Sequence, residues 1–318
     1  MGSAPGRGGH LCAADCGLGP VVRYSSAGPG HSDGTAGPLP SRRHSRHIRP
    51  RRRYLHRSPV GPYPATVRSV TDGSRPLLEG RGLTKRFGGL TAVNRVDFAV
   101  QPGEIVGLIG PNGSGKTTLF DCLSRLERID GGRVLFKGTD ITRASPHRVA
   151  RMGLSRTFQV IRVYRKMKVL DNMLVSRRWS GDLYLRVMRP SSSEMVRRAR
   201  ELLEFLRIAP LADEPAGHLS GGQRRLLEIG MALMPDPDIL LLDEATSGVN
   251  PTLIETIKDH IRTLNDQGKA FLLIEHNINF IADLCTRVYA LNHGETMAEG
   301  TPREIMENEA VIDAYFGA

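Results

Sequence analysis

Gly110–Pro–Asn–Gly–Ser–Gly–Lys116–Thr117–Thr118 fits the pattern G-x-x-x-x-G-K-[ST], whose glycines let backbone N–H groups turn inward on phosphate oxygens. The apolar segment 104–109 precedes it and a helical pattern through Cys122 follows, so the sequence predicts a strand, a phosphate-binding loop and a helix N-terminus. Lys116 is expected to reach the β- and γ-phosphates of a nucleoside triphosphate, and the Thr117 hydroxyl to bind Mg²⁺. The candidate phosphate-binding residues are Gly110, Pro111, Asn112, Gly113, Ser114, Gly115, Lys116, Thr117 and Thr118.

Two acidic residues end a later apolar run, Ile239-Leu-Leu-Leu-Asp243-Glu244. An apolar strand with this ending is what a Mg²⁺ site beside a phosphate loop needs, because Asp243 can hold the metal and Glu244 can polarise the attacking water. The run follows Leu219-Ser-Gly-Gly-Gln223, a serine–glycine segment that leads into a helical pattern from Arg224 to Met234.

In this order and at this spacing, the phosphate loop, the LSGGQ segment and the ILLLDE strand resemble the ATP-binding-cassette (ABC) ATPases over residues 77–318. The resemblance implies an α/β fold with a parallel-sheet core, an antiparallel β subdomain and an α-helical insertion at about 145–235. It also implies ATP and Mg²⁺ as cofactors. The serine–glycine segment corresponds to the family's signature, which serves ATP held by a second cassette, and its residues here are Ser220, Gly221, Gly222 and Gln223.

Three further residues match single positions of the family. Gln159 fits the glutamine that contacts Mg²⁺ and senses the membrane partner, His276 fits the histidine at the γ-phosphate, and Phe87 fits the aromatic ring under the adenine. The resemblance therefore implies Glu244, His276, Lys116 and Gln159 as the catalytic set. It implies Thr117, Gln159 and Asp243 as the metal ligands.

Residues 247–250 resemble the family's loop at the dimer seam, although Asn250 replaces the commoner aspartate. Ala245 also departs from the family, which commonly has proline after the catalytic glutamate. We expect the alanine to loosen the turn slightly and neither change to abolish activity.

A finer resemblance, to the ATPase subunits of high-affinity branched-chain amino acid importers, is carried by three segments. These are Pro146–Gln159, Leu273–Asn277 and the ending Glu299–Gly317. The resemblance implies an ATP-hydrolysing motor that imports branched-chain amino acids or a similar small polar solute through separate permease subunits. It also implies a second ABC ATPase as partner, in a hetero- or homodimer, and a peripheral position on the cytoplasmic face of the membrane. The motor of a lipid or lipopolysaccharide exporter and a soluble ABC ATPase acting on ribosomes or DNA remain alternatives. The transported substrate stays open.

The net charge of +11 is concentrated at one end of the chain. Residues 1–76 carry 12 Arg, no Lys, 3 Asp and no Glu, whereas the remaining residues hold 32 basic and 30 acidic side chains. This segment also contains 12 Gly and 10 Pro, a composition that predicts a disordered tail. Its arginine cluster, 42–57, favours a solvated arm over a site for anionic lipid or nucleic acid, and the nearly neutral remainder predicts no specific nucleic-acid partner.

Local patterns predict the elements around these motifs. Alternating Val96, Phe98 and Val100 indicate a half-buried antiparallel strand, and the apolar runs 239–242 and 271–274 indicate parallel strands covered on both faces. Ser145 with Pro146 predicts a helix start, Gly153 its end, and Ser191 with Glu194 a second helix start. No run of 18 apolar residues occurs, so no membrane span is expected.

Overall fold

The computed structural model describes residues 75–158, 162–176 and 192–316. Its strands are β1 Leu78–Phe87, β2 Leu90–Val100, β3 Ile105–Ile109, β4 Gly131–Phe136, β5 Thr139–Asp140, β6 Leu154–Arg156, β7 Ile239–Asp243, β8 Ala270–Ile274, β9 Arg287–Asn292 and β10 Glu295–Gly300. Its α-helices are α1 Lys116–Leu123, α2 Pro146–Met152, α3 Val169–Val175, α4 Ser193–Phe205, α5 Gly221–Leu233, α6 Pro251–Asp266, α7 Ile278–Leu284, α8 Pro302–Met306 and α9 Glu309–Phe316.

The six-stranded sheet has the order β10-β9-β3-β8-β7-β6. All neighbours pair in parallel except β9 and β10, which form an antiparallel hairpin. Along β7 the buried side chains divide by alternation: Ile239 and Leu241 join one core cluster, whereas Leu240 and Leu242 join the other. Both faces of the sheet are therefore covered, as the continuous apolar run predicted.

The second sheet is antiparallel and has the order β2-β1-β4-β5. Val96, Phe98 and Val100 on β2 are buried, which confirms the strand that their alternation predicted. They share a core cluster with Leu119 and Phe120 of α1, so the antiparallel sheet packs where the phosphate-loop helix begins. This packing fixes α1 against both sheets.

The predicted helix start at Ser145 and Pro146 is confirmed, because α2 follows Ser145 directly and ends at Gly153 with φ 113°. Immediately afterwards, β6 adds an edge strand to the six-stranded sheet beside β7. The range 145–235 predicted as a helical insertion therefore also contains one strand of the main sheet. The helices α3, α4 and α5 come after that strand.

Helix α4 begins one residue later than the sequence predicted. The hydroxyl of Ser192 caps the helix by accepting a hydrogen bond from the amide of Met195 at 3.3 Å. Both serines are compatible with a helix start, so the local pattern alone did not choose between them. Ala199, Leu202, Leu203 and Leu206 are all fully buried, so one face of α4 and its end lie in the core.

Two predictions fall on residues that the structure does not describe. These are the Gly/Pro/Arg-rich segment 1–76, apart from its last two residues, and Gln159. Among the helices that are described, none is both long enough and apolar enough to cross a lipid bilayer.

Candidate nucleotide-binding site

The phosphate-binding sequence forms the turn between β3 and α1, in the middle of the six-stranded sheet. Gly115 is the N-cap of α1 and has φ 100°, a left-handed conformation that favours glycine. A Cβ at this position would lie only 2.3 Å from the carbonyl oxygen of Ala92. Backbone conformation and space both require glycine here, so the motif spacing has a local structural cause.

Lys116 is buried at the start of α1, where its ammonium group lies inside the turn. Nζ donates hydrogen bonds to the carbonyl oxygens of Gly110 at 2.8 Å and Pro111 at 2.9 Å. Burial lowers the pKa of Lys116, and the negative charges of Glu244 and Asp243 oppose that shift. The site therefore holds a positive charge next to two carboxylates.

A second polar group inside the turn lacks a partner. The Ser114 hydroxyl is buried and makes no hydrogen bond to any residue that the structure describes. A buried hydroxyl without a partner costs free energy unless a ligand or water satisfies it. Together with the Lys116 ammonium, this hydroxyl makes the turn suited to an anion.

An open cleft of about 520 Å³ lies over the turn. Phe87 lies at its edge with 46% of its surface exposed, and Nζ of Lys85 sits 4.8 Å from the ring centroid. The exposed ring face is available for stacking on a planar base. The cleft is lined by Phe87, Leu90, Thr91, Ala92, Asn112, Gly113, Gly115, Lys116, Thr117, Thr118, Glu244, His276, His293 and Gly294.

Asp243 ends β7 as a buried carboxylate. Arg156 at the end of β6 donates to Asp243 Oδ2 at 3.2 Å and to Asp121 Oδ1 of α1. Burial raises the pKa of Asp243, and the Arg156 charge opposes this rise. The guanidinium of Arg156 thus balances two carboxylates at the base of the phosphate loop, a role that no local motif revealed.

Glu244 has an unusual backbone conformation, with φ 48° in the left-handed region. Its amide donates to the carbonyl oxygen of Ile274 at 2.9 Å, and its carboxylate Oε1 lies 3.2 Å from Nε2 of His276. A long side chain in this region is rare and costs about 1–2 kcal/mol. The structure thereby aims a carboxylate into the cleft next to an imidazole.

A buried ion pair on α5 holds the main chain around this carboxylate. Arg225 donates to the carbonyl oxygens of Glu244 and Phe158, each at 3.1 Å, and to Glu228 Oε2 at 2.7 Å. The other oxygen of Glu228 accepts from the Phe158 amide at 3.2 Å. Burial raises the pKa of Glu228, against the opposing charge of Arg225. Both polar groups of the residue before Gln159 are therefore tied to the signature helix.

A second carboxylate, Glu275, connects the strand that carries His276 to the segment after Glu244. Its two oxygens accept from the amide of Thr246 at 2.9 Å and from the Thr246 hydroxyl at 2.7 Å. Burial raises the pKa of Glu275, and the bonds from Thr246 oppose the rise. Thr246 precedes the predicted dimer-seam residues 247–250, whose Asn250 caps α6 by accepting from the amide of Leu253 at 2.8 Å.

The signature residues form a helix start away from this cleft. The Ser220 hydroxyl accepts from the Gln223 amide at 3.2 Å, and the Gln223 side chain accepts from the Ser220 amide at 2.8 Å, which is a capping box. Of the residues that the structure describes, those lining the cleft include none from 220–223.

Nine of the predicted site residues line the cleft, and Asp243 and the remaining phosphate-loop residues Gly110, Pro111 and Ser114 adjoin them in the chain, whereas the signature residues do not line it. Sequence reasoning missed several residues of the site, namely Arg156, Arg225, Glu228, Thr246, Glu275, His293 and Gly294. A weak signal existed for Arg225 and Glu228, which lie three residues apart on an otherwise apolar helix face.

Comparison with protein-family models gives two matches. Residues 93–247 match the model described as ABC transporter, and residues 295–318 match the model described as branched-chain amino acid ATP-binding cassette transporter. The second match begins where β10 begins.

Proteins of similar sequence are named as ATP-binding proteins of branched-chain amino acid transport. The chain is 40% identical over 252 residues to the high-affinity branched-chain amino acid transport ATP-binding protein LivG of Escherichia coli K12, covering 77% of this chain and 99% of LivG. It is 38% identical over 246 residues to the probable LivG protein of Archaeoglobus fulgidus, covering 76% and 96%.

Solved structures give the same picture for the fold. A nucleotide-free ATP-binding cassette matches with TM-score 0.71 and 34% identity, and the ADP conformation of a cassette matches with 0.70 and 35%; each match covers 77% of this chain and 100% of the other. A dimeric bacterial cassette matches with TM-score 0.63 and 25% identity, covering 71% and 99%.

Proposed function

We propose, because this chain belongs to the ABC transporter family and to its branched-chain amino acid subfamily, that it powers amino acid import through separate permease subunits. The chain is the ATP-binding subunit, an ATPase, and its substrate class is that of its relatives, branched-chain amino acids. The observation that carries the proposal is the Glu244–His276 pair, 3.2 Å apart, in the same cleft as Lys116.

The phosphates of ATP bind in the turn between β3 and α1. There Lys116 exchanges its two carbonyl partners for phosphate oxygens, and the Ser114 hydroxyl gains the partner that it lacks. Phe87 stacks on the adenine. Binding therefore satisfies polar groups that the fold has already placed, and little reorganisation is needed.

Glu244 accepts a proton from the water that attacks the γ-phosphate, and His276 fixes the direction of that carboxylate. Positioning and electrostatic stabilisation supply most of the rate enhancement in phosphoryl transfer. Arg225 holds the backbone carbonyl of Glu244, which fixes the point from which this side chain extends into the cleft.

The residues present fit a Mg²⁺ ion, because a hydroxyl and a carboxylate are the oxygen donors that this ion prefers. Thr117 lines the cleft, and Asp243 lies close enough for its charge to act on Lys116. These two residues would hold the ion, with Gln159 as the further predicted ligand. Mg²⁺ neutralises phosphate charge when it is bound.

A second cassette completes each site. The exposed signature of one cassette faces the phosphate loop of the other, so that two ATP molecules are held between them. We further propose that the pair works at the cytoplasmic face of the membrane, attached through the permeases, and that the second cassette is a related ATPase subunit.

Glu244→Gln tests the chemistry. It should retain ATP binding but lower the rate of hydrolysis by at least about a hundredfold, because the amide cannot accept the proton of the attacking water. Binding is measured with a fluorescent ATP analogue and hydrolysis by phosphate release. The matched control is Glu201→Gln, which neutralises an exposed carboxylate on α4. Normal hydrolysis by Glu244→Gln would refute the assignment of the base.

Uptake of radiolabelled leucine tests the substrate class. Cells that lack this chain should lose leucine uptake, and the wild-type chain should restore it where Glu244→Gln does not. Unchanged leucine uptake without this chain would reject amino acid import and leave the ATPase assignment standing.

A further inference from the structure

The last part of the chain returns to the phosphate loop. After β9, the hairpin turn 293–294 leads into β10, α8 and α9 (residues 293–316, the C-terminal segment). Tyr315 on α9 accepts a hydrogen bond on its hydroxyl oxygen from the backbone amide of Gly110 at 2.6 Å. Gly110 is the first residue of the phosphate loop, 205 positions away in sequence.

A second contact reaches the same loop from the start of the C-terminal segment. The Gly294 amide donates to the carbonyl oxygen of Ser114 at 3.0 Å, while the Gly294 carbonyl accepts from the amide of Asn94 at 2.7 Å. The loop is thus held at its first and fifth residues by one segment. Neither contact uses a side chain that the loop needs for phosphate.

Helix α9, which carries Tyr315, and the preceding helix α8 are both anchored in the core by buried side chains. Thr301 and Glu304 form a capping box at the start of α8, and Ile305 and Val311 are buried. Ile305, Val311 and Ile109, the last residue of β3, belong to one core cluster, and Tyr315 packs against it. The tyrosine hydroxyl therefore has a fixed position relative to the strand that ends at the loop.

The side chain of Tyr315 is a neutral phenol, and its hydroxyl oxygen can accept the hydrogen bond from Gly110. Burial raises the pKa of Tyr315, and the hydrogen bond from Gly110 opposes the rise. The other polar group of Gly110, its carbonyl, accepts from the ammonium of Lys116. Without nucleotide, the peptides on both sides of Gly110 are therefore held, one by the C-terminal helix and one by Lys116; only the contact with Tyr315 remains when Lys116 turns to the phosphates.

We propose that Tyr315 is a positioning residue for ATP binding, whose hydroxyl holds the first peptide of the phosphate loop in its binding conformation. Without the hydroxyl, the partly buried Gly110 amide loses its acceptor, and the loop gains freedom that the nucleotide must remove on binding. The proposal rests on the ATP-binding part of the proposed function. It assigns a role to the segment that distinguishes the branched-chain subfamily model, residues 295–318.

Tyr315→Phe removes only the hydroxyl and keeps the packed ring. In the full chain, the Kd for a fluorescent ATP analogue should rise roughly three- to tenfold, as expected for one lost hydrogen bond to a partly buried amide. KM for ATP should rise by the same factor, with a much smaller change in kcat, because Tyr315 does not touch the reacting atoms.

Tyr289→Phe is the matched control. Its hydroxyl is also partly buried and also accepts from a backbone amide, that of Ala99 at 3.3 Å, and from Arg287 at 3.0 Å. The control should lose comparable thermal stability while its Kd stays at the wild-type value.

Four results would overturn the proposal. Equal Kd values for Tyr315→Phe and wild type would do so, and so would an equal rise in both tyrosine variants, since that would reflect general loss of packing. A fall in kcat as large as the rise in KM would place Tyr315 in the chemical step instead. Wild-type protein that fails to bind the analogue would overturn the proposed function as well, so the two failures are distinguishable.

Discussion

A single guanidinium, that of Arg225, joins three parts of the nucleotide site. It binds the carbonyl of Glu244, the carbonyl of Phe158 and the carboxylate of Glu228, and it is one of the largest fully buried side chains in the described residues. Arg225 therefore ties the signature helix to the residue before Gln159 and to the main chain of Glu244, the proposed catalytic base.

Arg225→Met should lower kcat about tenfold, because Glu244 loses a tether in its strained conformation. It should also lower the free energy of unfolding by roughly 3 kcal/mol, since Glu228 is left buried without its partner. Urea unfolding and phosphate release measure the two effects.

The double variant Arg225→Met with Glu228→Leu separates catalysis from stability. Removing the buried charge should recover most of the lost stability but not kcat. If kcat returned together with stability, Arg225 would be only structural.

For single residues, the sequence predicts a role when the residue acts together with its close neighbours in the chain. The phosphate loop is such a case, because its glycine spacing, its lysine and its helix start are all local. Arg225 and Tyr315 are opposite cases, since Phe158 lies 67 positions from Arg225 and Gly110 lies 205 positions from Tyr315. A single sequence does not indicate which distant residues meet.

For helices and strands, local sequence patterns predicted some element ends correctly and missed others. Ser145, Pro146 and Gly153 bound α2 as predicted, because each residue has a conformational preference that acts within one turn. The start of α4 was missed by one residue, because Ser191 and Ser192 are equally suitable caps by residue type. Strand β6 was also missed, since its three residues are too few for a pattern.

One contact between α4 and α6 makes the fold sensitive to acid. His260 on α6 packs on the ring of Phe205 with centroids 4.6 Å apart, and its buried Nε2 has no hydrogen-bond partner in the described part of the chain. Burial lowers the pKa of His260 to about 4, and the charge of Arg207 adds to the effect. The folded chain thus keeps this imidazole neutral.

Between pH 7 and pH 5 the unfolded chain takes up a proton at this position with a pKa near 6.5, whereas the folded chain does not. Stability therefore falls as the pH falls, and the histidine accounts for up to roughly 2 kcal/mol of that loss. His260→Leu should reduce the loss by this amount in urea titrations at the two pH values. An equal loss in variant and wild type would show that His260 does not titrate on unfolding.

For the chain as a whole, the two parts proposed for an ATP site are separate in the described residues. The cleft with Lys116 and the exposed signature at Ser220 do not meet, at least among the residues that the structure describes. The phosphate-loop motif predicted the first part, and the resemblance to ABC ATPases implied the role of the signature and the dimer that would join the two parts. How two cassettes are arranged depends on contacts between chains, and local patterns in one chain do not predict such contacts.

Ser220→Arg should leave ATP binding at Lys116 unchanged and prevent ATP-dependent dimerisation, because the added side chain occupies the place of the partner's γ-phosphate. In the Glu244→Gln background, gel filtration with ATP should show a dimer that Ser220→Arg converts to monomer. Hydrolysis by the otherwise wild-type Ser220→Arg chain should fall at least about tenfold.

Ser192→Arg is the control for the lost helix cap. It removes the cap of α4 just as Ser220→Arg removes that of α5, a loss of about 1 kcal/mol in each case. If both variants dimerised equally, the signature would not belong to the interface.

The left-handed backbone of Glu244 has a consequence for the evolution of the chain. A glycine or an asparagine would adopt φ 48° with less strain, so random mutation readily offers replacements at this position that ease the backbone. Each such replacement removes the carboxylate. A laboratory selection that rewards only thermostability or expression would therefore drift toward inert sequences here, whereas selection for growth on the transported nutrient would keep the glutamate.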